Sequence, residues 1–123
     1  MSAVILDTNA LMMPVECDVR VFEELDRLLD DPDPVVPRSV VAELGTLAEG
    51  NGAEATAAGV GLDLTDRCQV VETDAGYADD AVVEVARTDA EYAVTNDRPL
   101  RERLREADVP VICLRGQNKL VIS

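Results

Sequence analysis

The residues equipped for chemistry in this chain are acids. Asp7 directly follows an apolar run, Glu43 lies one turn into a helical pattern, Asp79 and Asp80 open another helix, and Asp97 lies just beyond a short apolar strand. There is no histidine, which excludes Ser-His-Asp and Cys-His nucleophilic chemistry and His-ligated zinc. Cys17, Cys68 and Cys113 are widely spaced, odd in number and lack a C-x-x-C pair. That spacing reads as reduced thiols, not as a disulfide frame or metal site. Catalysis therefore falls to carboxylates, and carboxylates brought together repel. At ~4 Å and an effective dielectric of ~20, each like-charge pair costs about 4 kcal/mol. Two remedies exist: some carboxylates hold protons, or a divalent cation sits among them. An all-oxygen donor set favours Mg²⁺ or Mn²⁺. Each acid also has a structural reading, since 25 acidic residues place some at strand ends by chance. Asp79 would then cap its helix, Asp97 would be an N-cap shortly before Pro99, and Glu43 would be a solvated helix residue.

The elements that must position these acids alternate. Residues 3–6 form a compact apolar strand ending at Asp7. Apolar Val21, Phe22, Leu25, Leu28 and Leu29 recur at helical spacing over residues 19–29, with Asp18 as N-cap. Strands are expected at 35–36, 68–72, 92–94 and 109–114, and helices at 39–49, 53–64, 79–87 and 99–107. Such alternation over 123 residues predicts one domain, residues 1–123, with five mostly parallel strands joined by right-handed crossovers. The fold class is α/β, a three-layer α/β/α sandwich. Ligands in such sheets collect beyond the carboxyl ends of the strands, where Asp7 and Asp97 fall.

The formal charge is −14, with ten Arg and the single Lys119 as the basic residues. An Asp-rich, Lys-poor surface resembles that of proteins from a high-salt (halophilic) cytoplasm, where screening blunts self-repulsion. At ordinary ionic strength the charge repels a nucleic-acid backbone unless basic residues cluster. Arg98, Arg101 and Arg105 fall on roughly one side of the helix at 99–107. They form either a phosphate-contacting ridge beside Asp97 or internal pairs with Glu102 and Glu106. Asn9 and Thr95, with Thr8 and Asn96, are placed to orient the carboxylates or to satisfy turn backbone groups. Met12 and Met13 are core filler or a homodimer contact. The opening residues carry no signal-peptide pattern and no apolar stretch approaches a membrane span, so a cytoplasmic protein with no membrane partner is expected.

Four local strings carry a family resemblance. LDTNAL (6–11), SVVAEL (39–44), ADDAVVEVA (78–86) and VTNDRPL (94–100) occur in that order, each with at least one acid in a strand-end or helix context. Together, with three acids (Asp79, Asp80 and Glu84) in the third string and one in each of the others, they resemble the PIN-domain family of metal-dependent ribonucleases, whose pattern sets one acid in each, and the likeness spans the chain. The resemblance implies a PIN-like fold and hydrolysis of phosphodiester bonds in single-stranded or loop RNA. It implies Mg²⁺ or Mn²⁺ held by Asp7, Glu43, Asp80 and Asp97, with Asn9 and Thr95 in support. Asp80 is preferred to its neighbour Asp79 because the family pattern sets the acid directly before Ala and an apolar residue. Within the family, VFEELDRLLDD, YADDAVVEVA and the tail VPVICLRGQNKLVIS look most like PIN proteins related to ribosomal RNA processing. The VapC-like toxin branch is the alternative, and a catalytically silent RNA- or assembly-binding module is the rival from another class.

Overall fold

The structure, a computed structural model, describes residues 2–123. Val4, Ile5 and Leu6 of β1 (Ser2–Leu6) are fully buried, as an apolar run covered on both faces of a parallel sheet must be. Around β1 lie β2 (Pro32–Pro37), β3 (Gln69–Val71), β4 (Tyr92–Val94), β5 (Val111–Arg115) and β6 (Lys119–Ile122). Their order in the sheet is β3-β2-β1-β4-β5-β6. The first five are parallel, and β6 pairs antiparallel with β5. The chain steps outward from β1 in one direction through β2 and β3, and in the other through β4 and β5. Between β1 and β4 the order reverses, and the crevice beyond that point is where a doubly wound sheet takes its ligand.

Six helices pack about the sheet: α1 (Thr8–Glu16), α2 (Val21–Leu28), α3 (Arg38–Ala48), α4 (Gly52–Leu64), α5 (Ala78–Thr88) and α6 (Arg98–Glu106). The core is Val, Leu, Ile and Ala, with Met12 and Met13 buried in it. Burial removes those two methionines as a dimer contact. Cys17, Cys68 and Cys113 are unpaired thiols, and no described helix is long and apolar enough to cross a membrane.

Three expectations need correction. Residues 8–16 form a helix that the sequence pattern conceals, because Thr8, Ala10, Leu11, Met12 and Met13 are all buried and leave no polar face to mark a period. Asp18 does not cap α2; Arg20 holds that position and Asp18 adopts φ 53° in the turn after α1, a left-handed conformation that Asp tolerates. The sheet has six strands, not five. Gly116 at φ 73° turns β5 back into β6, and β6 does not lie as an open edge. Its Leu120 donates its N–H to Glu24 Oε1 at 2.9 Å and accepts from the Arg27 guanidinium at 2.8 Å. Side chains of α2 thus stand in for a further strand and blunt the edge against pairing with another chain.

Close approach of α4 to α1 depends on Gly61, where an added Cβ would lie 2.8 Å from the Leu11 carbonyl oxygen. This contact sets α4 against the helix that starts at Asp7.

Candidate active site

Asp7 ends β1 and caps α1 in the same stroke. Its Oδ1 accepts from the Ala10 N–H at 2.7 Å, satisfying one of the orphan donors at a helix start. Its Oδ2 accepts from the Thr95 hydroxyl. Thr95, fully buried just after β4, in turn accepts from the Asp97 N–H at 3.0 Å. One hydroxyl therefore links the first acid to the backbone that carries the last. Asp97 caps α6, its Oδ2 accepting from Leu100 N–H at 3.0 Å. Asn9 Oδ1 accepts from Asn96 N–H at 3.1 Å, and Asn96 Oδ1 accepts from Leu114 N–H at 2.8 Å. This relay ties the first turn of α1 to the β4–α6 loop and to β5. The rim that holds Asp7 and Asp97 is built of buried or half-buried hydrogen bonds, which tie the backbone segments carrying the two acids to each other.

Asp7, Glu43, Asp79 and Asp97 line one cleft of about 290 Å³ at the switch point between β1 and β4, together with Thr8, Asn9, Met12, Glu16, Leu47 and Glu54. Glu43 reaches it from α3, and Asp79 from the first turn of α5. No Arg or Lys lines the cleft. Burial pushes the Asp7 carboxyl up to about 7, against the Thr95 and Ala10 hydrogen bonds, with Asp79 and Asp97 adding to the rise. Partial burial also raises Asp79, helped by Asp97 and Glu43 and opposed by Arg103. The carboxylates thus feel one another's charge, and the cleft has no internal counter-ion.

Asp80, the acid preferred on the family pattern, lies outside this cleft. It forms an ion pair with Arg103 at 2.9 Å and lines a separate hollow of about 480 Å³ with Val83, Glu84, Arg87 and Thr88. Successive helix positions are about 100° apart, and here it is Asp79 that lines the cleft. Glu16 and Glu54 join the cleft without having been singled out in the sequence. Glu16 lies at the end of the helix that went unseen, and Glu54 in the first turn of α4, where nothing in the local string marks it.

Among the described residues the arginines of α6 do not form the internal pairs with Glu102 and Glu106; the ion pairs are Arg27–Glu24, Arg38–Glu72 and Arg103–Asp80. Arg98 is exposed beside Asp97, Arg105 donates to the Ser123 hydroxyl at 3.0 Å, and Arg101 Nε is buried without a partner.

Among the described residues no three His, Cys, Asp or Glu side chains stand within shared ligating distance. The donor chemistry nevertheless fits a hard divalent cation: carboxylates and hydroxyls, no soft ligand, and uncompensated charge. Thr8 Oγ1, buried on the cleft wall, has no hydrogen-bond partner in the protein, as expected of a group reserved for something that enters.

Comparison with known proteins bears on the family and the fold. Residues 4–117 match the family described as PIN like domain. Ribonuclease VapC4 of Methanocaldococcus jannaschii is 29% identical over 120 residues, covering 94% of this chain and 92% of that protein. The PIN domain endonuclease Utp24 superposes with a TM-score of 0.79 at 27% identity, over 98% of this chain and 90% of its own. VapBC2 from Rickettsia felis, solved bound to a DNA fragment from their promoter, reaches 0.66 at 12% identity, over 92% of this chain and 99% of that one. A domain of a functionally unknown Methanocaldococcus jannaschii protein reaches 0.68 at 19% identity, over 98% and 96%. At these last two identities the likeness is one of fold alone. With the family match running through nearly the whole sequence, the chain belongs to the PIN-like domain family.

Proposed function

We propose that this protein is a metal-dependent endoribonuclease that hydrolyses phosphodiester bonds in single-stranded or loop RNA. The observation that carries the reading is the convergence of Asp7, Glu43, Asp79 and Asp97 on one cleft without a cationic side chain. The relatives named a ribonuclease and an endonuclease support the class of reaction. Asp7, Asp79 and Asp97, which line the cleft together with Glu43, are the residues that would hold Mg²⁺ or Mn²⁺. When bound, such a cation supplies an acidified water and neutralises charge developing on phosphate. The protein's own residues do the positioning. Thr95 holds Asp7 and the Asp97 backbone in register, and Asn9 keeps α1 against the β4–α6 loop. Arg98, Arg101 and Arg105 are the residues that would contact phosphate beside Asp97.

We assign the activity to ribosomal RNA processing in preference to a toxin role on the strings VFEELDRLLDD, YADDAVVEVA and VPVICLRGQNKLVIS; the 29% identity to Ribonuclease VapC4 supports the toxin role as the second reading. The charge of −14 fits work in a salt-rich cytoplasm. A homodimer would have to use surfaces other than Met12 and Met13.

The test is cleavage of a structured RNA with Mn²⁺ at high salt, comparing the native protein with Asp7→Asn and Asp97→Asn. Loss of cleavage in both variants and on addition of EDTA is expected. Cleavage surviving both substitutions rejects the site, and no cleavage by any protein favours the silent binding module.

A further inference from the structure

Three aromatic residues occur in the whole chain. Phe22 is buried, with the Arg67 guanidinium 4.2 Å from its ring centre. Tyr92 is half-buried in β4. Tyr77 is 80% exposed, an unusual place for the scarcest class of side chain in this protein. It is the N-cap residue of α5, makes no side-chain cap hydrogen bond, and stands two positions before the cleft acid Asp79.

Tyr77 does not hang from a loose loop. The segment before it is pinned to the body of α5 by Glu84, whose carboxylate accepts from the N–H groups of Asp74 at 3.0 Å and Ala75 at 3.1 Å. Thr73 donates to the Ala75 carbonyl at 3.1 Å, and the Tyr77 carbonyl accepts the Ala81 N–H at 2.9 Å. The ring is thus presented on a backbone whose ordering cost is already met by folding, which favours binding.

We propose that Tyr77 is a stacking platform for one unpaired base of the RNA, next to the nucleotide whose phosphate lies in the acidic cleft. The proposal rests on the nuclease reading and specifies how substrate is held. An aromatic face accepts any base, provided that base is out of a duplex. A chain of charge −14 gains little from phosphate attraction, and salt weakens even that gain. Stacking is the recognition force that high salt leaves in place. Selection of single-stranded or looped RNA over duplex follows from it.

The test uses the full chain and a single-stranded oligoribonucleotide eight nucleotides long. Binding is measured by anisotropy of an end label and by quenching of tyrosine emission, which no Trp obscures, and cleavage is measured with Mn²⁺. Tyr77→Ala is expected to weaken binding by about 5- to 150-fold, the range for loss of one base stack. KM should rise with kcat nearly unchanged, and the loss should be the same at low and high salt. Tyr77→Phe should bind as the native protein does, and all three proteins should melt together because the side chain is exposed. If the native protein cleaves and Tyr77→Ala keeps its KM within twofold, the stacking role is overturned and the nuclease stands, leaving Tyr77 to a protein partner. If the native protein neither binds nor cleaves RNA, the nuclease reading falls and this inference with it.

Discussion

Replacing Asp7 by Asn probes the electrostatics of the cleft without disturbing its shape. The native carboxyl is raised from 3.8 to about 7, chiefly by burial. Below pH 4 the group is protonated in folded and unfolded chains alike and contributes nothing to the balance. Between pH 4 and 7 the unfolded chain ionises while the folded one does not, so stability falls as pH rises; above 7 the penalty is complete. Each pH step of one across that interval is worth about 1.4 kcal/mol, so the full penalty is about 4 kcal/mol. For a chain of 123 residues that is roughly 10–20 °C in melting temperature. Asn keeps an acceptor for Ala10 N–H and can donate to Thr95, so the variant avoids the penalty without losing the cap. Melting curves from pH 4 to 8 in EDTA should show Asp7→Asn gaining on the native protein as pH rises, with the gap levelling above 7. Adding Mn²⁺ at pH 8 should raise the native melting temperature and leave the variant unmoved. A gap that stays flat across this range would refute the reasoning, because the carboxyl would then be as well solvated folded as unfolded.

Further outcomes follow from the same geometry. Asp79→Asn should weaken Mn²⁺ binding and cleavage, while Asp80→Asn, which breaks only a half-exposed pair with Arg103, should change stability by less than about 1 kcal/mol and leave cleavage nearly intact; calorimetry and cleavage rates on both variants check this. Thr95→Val removes the donor to Asp7 and the acceptor for Asp97 N–H. It should cost about 2–3 kcal/mol in urea unfolding and depress cleavage, with Thr95→Ser restoring most of both. Arg101→Ala with Arg105→Ala should flatten the dependence of log affinity on log salt by about 1.4 if each arginine meets one phosphate; an unchanged slope removes the ridge.

Much of the frame is legible in the residues because it depends on short apolar runs and turn signals. β1 and β4 are visible as uninterrupted apolar segments, and Asp7 and Asp97 are placed by following them. Elements whose surroundings, not their own pattern, determine their form are hidden. The first turns of α1, Thr8 and Ala10 to Met13, are buried, so no polar stripe reveals the helix, and Glu16 at its exposed end is lost with it. β6 is completed by Glu24 and Arg27 from far earlier in the chain, although Gly116 between two β-rich strings is the local signal that would have exposed it. The choice between Asp79 and Asp80 turns on the rotation of α5 and on Arg103, which lies more than twenty positions away. A motif read along the sequence carries no information about that rotation. Tyr77 is likewise unremarked as a letter and becomes informative only once its ring is found in solvent.

Anomalous scattering from a crystal soaked in Mn²⁺ tests the shared acidic cleft most directly. A single strong peak is expected about 2.0–2.6 Å from carboxylate oxygens of Asp7 and Asp97, with Asp79 beside it. A map empty there at millimolar Mn²⁺, or a peak found instead beside Asp80 and Glu84, would contradict the assignment of this rim as the metal-dependent centre.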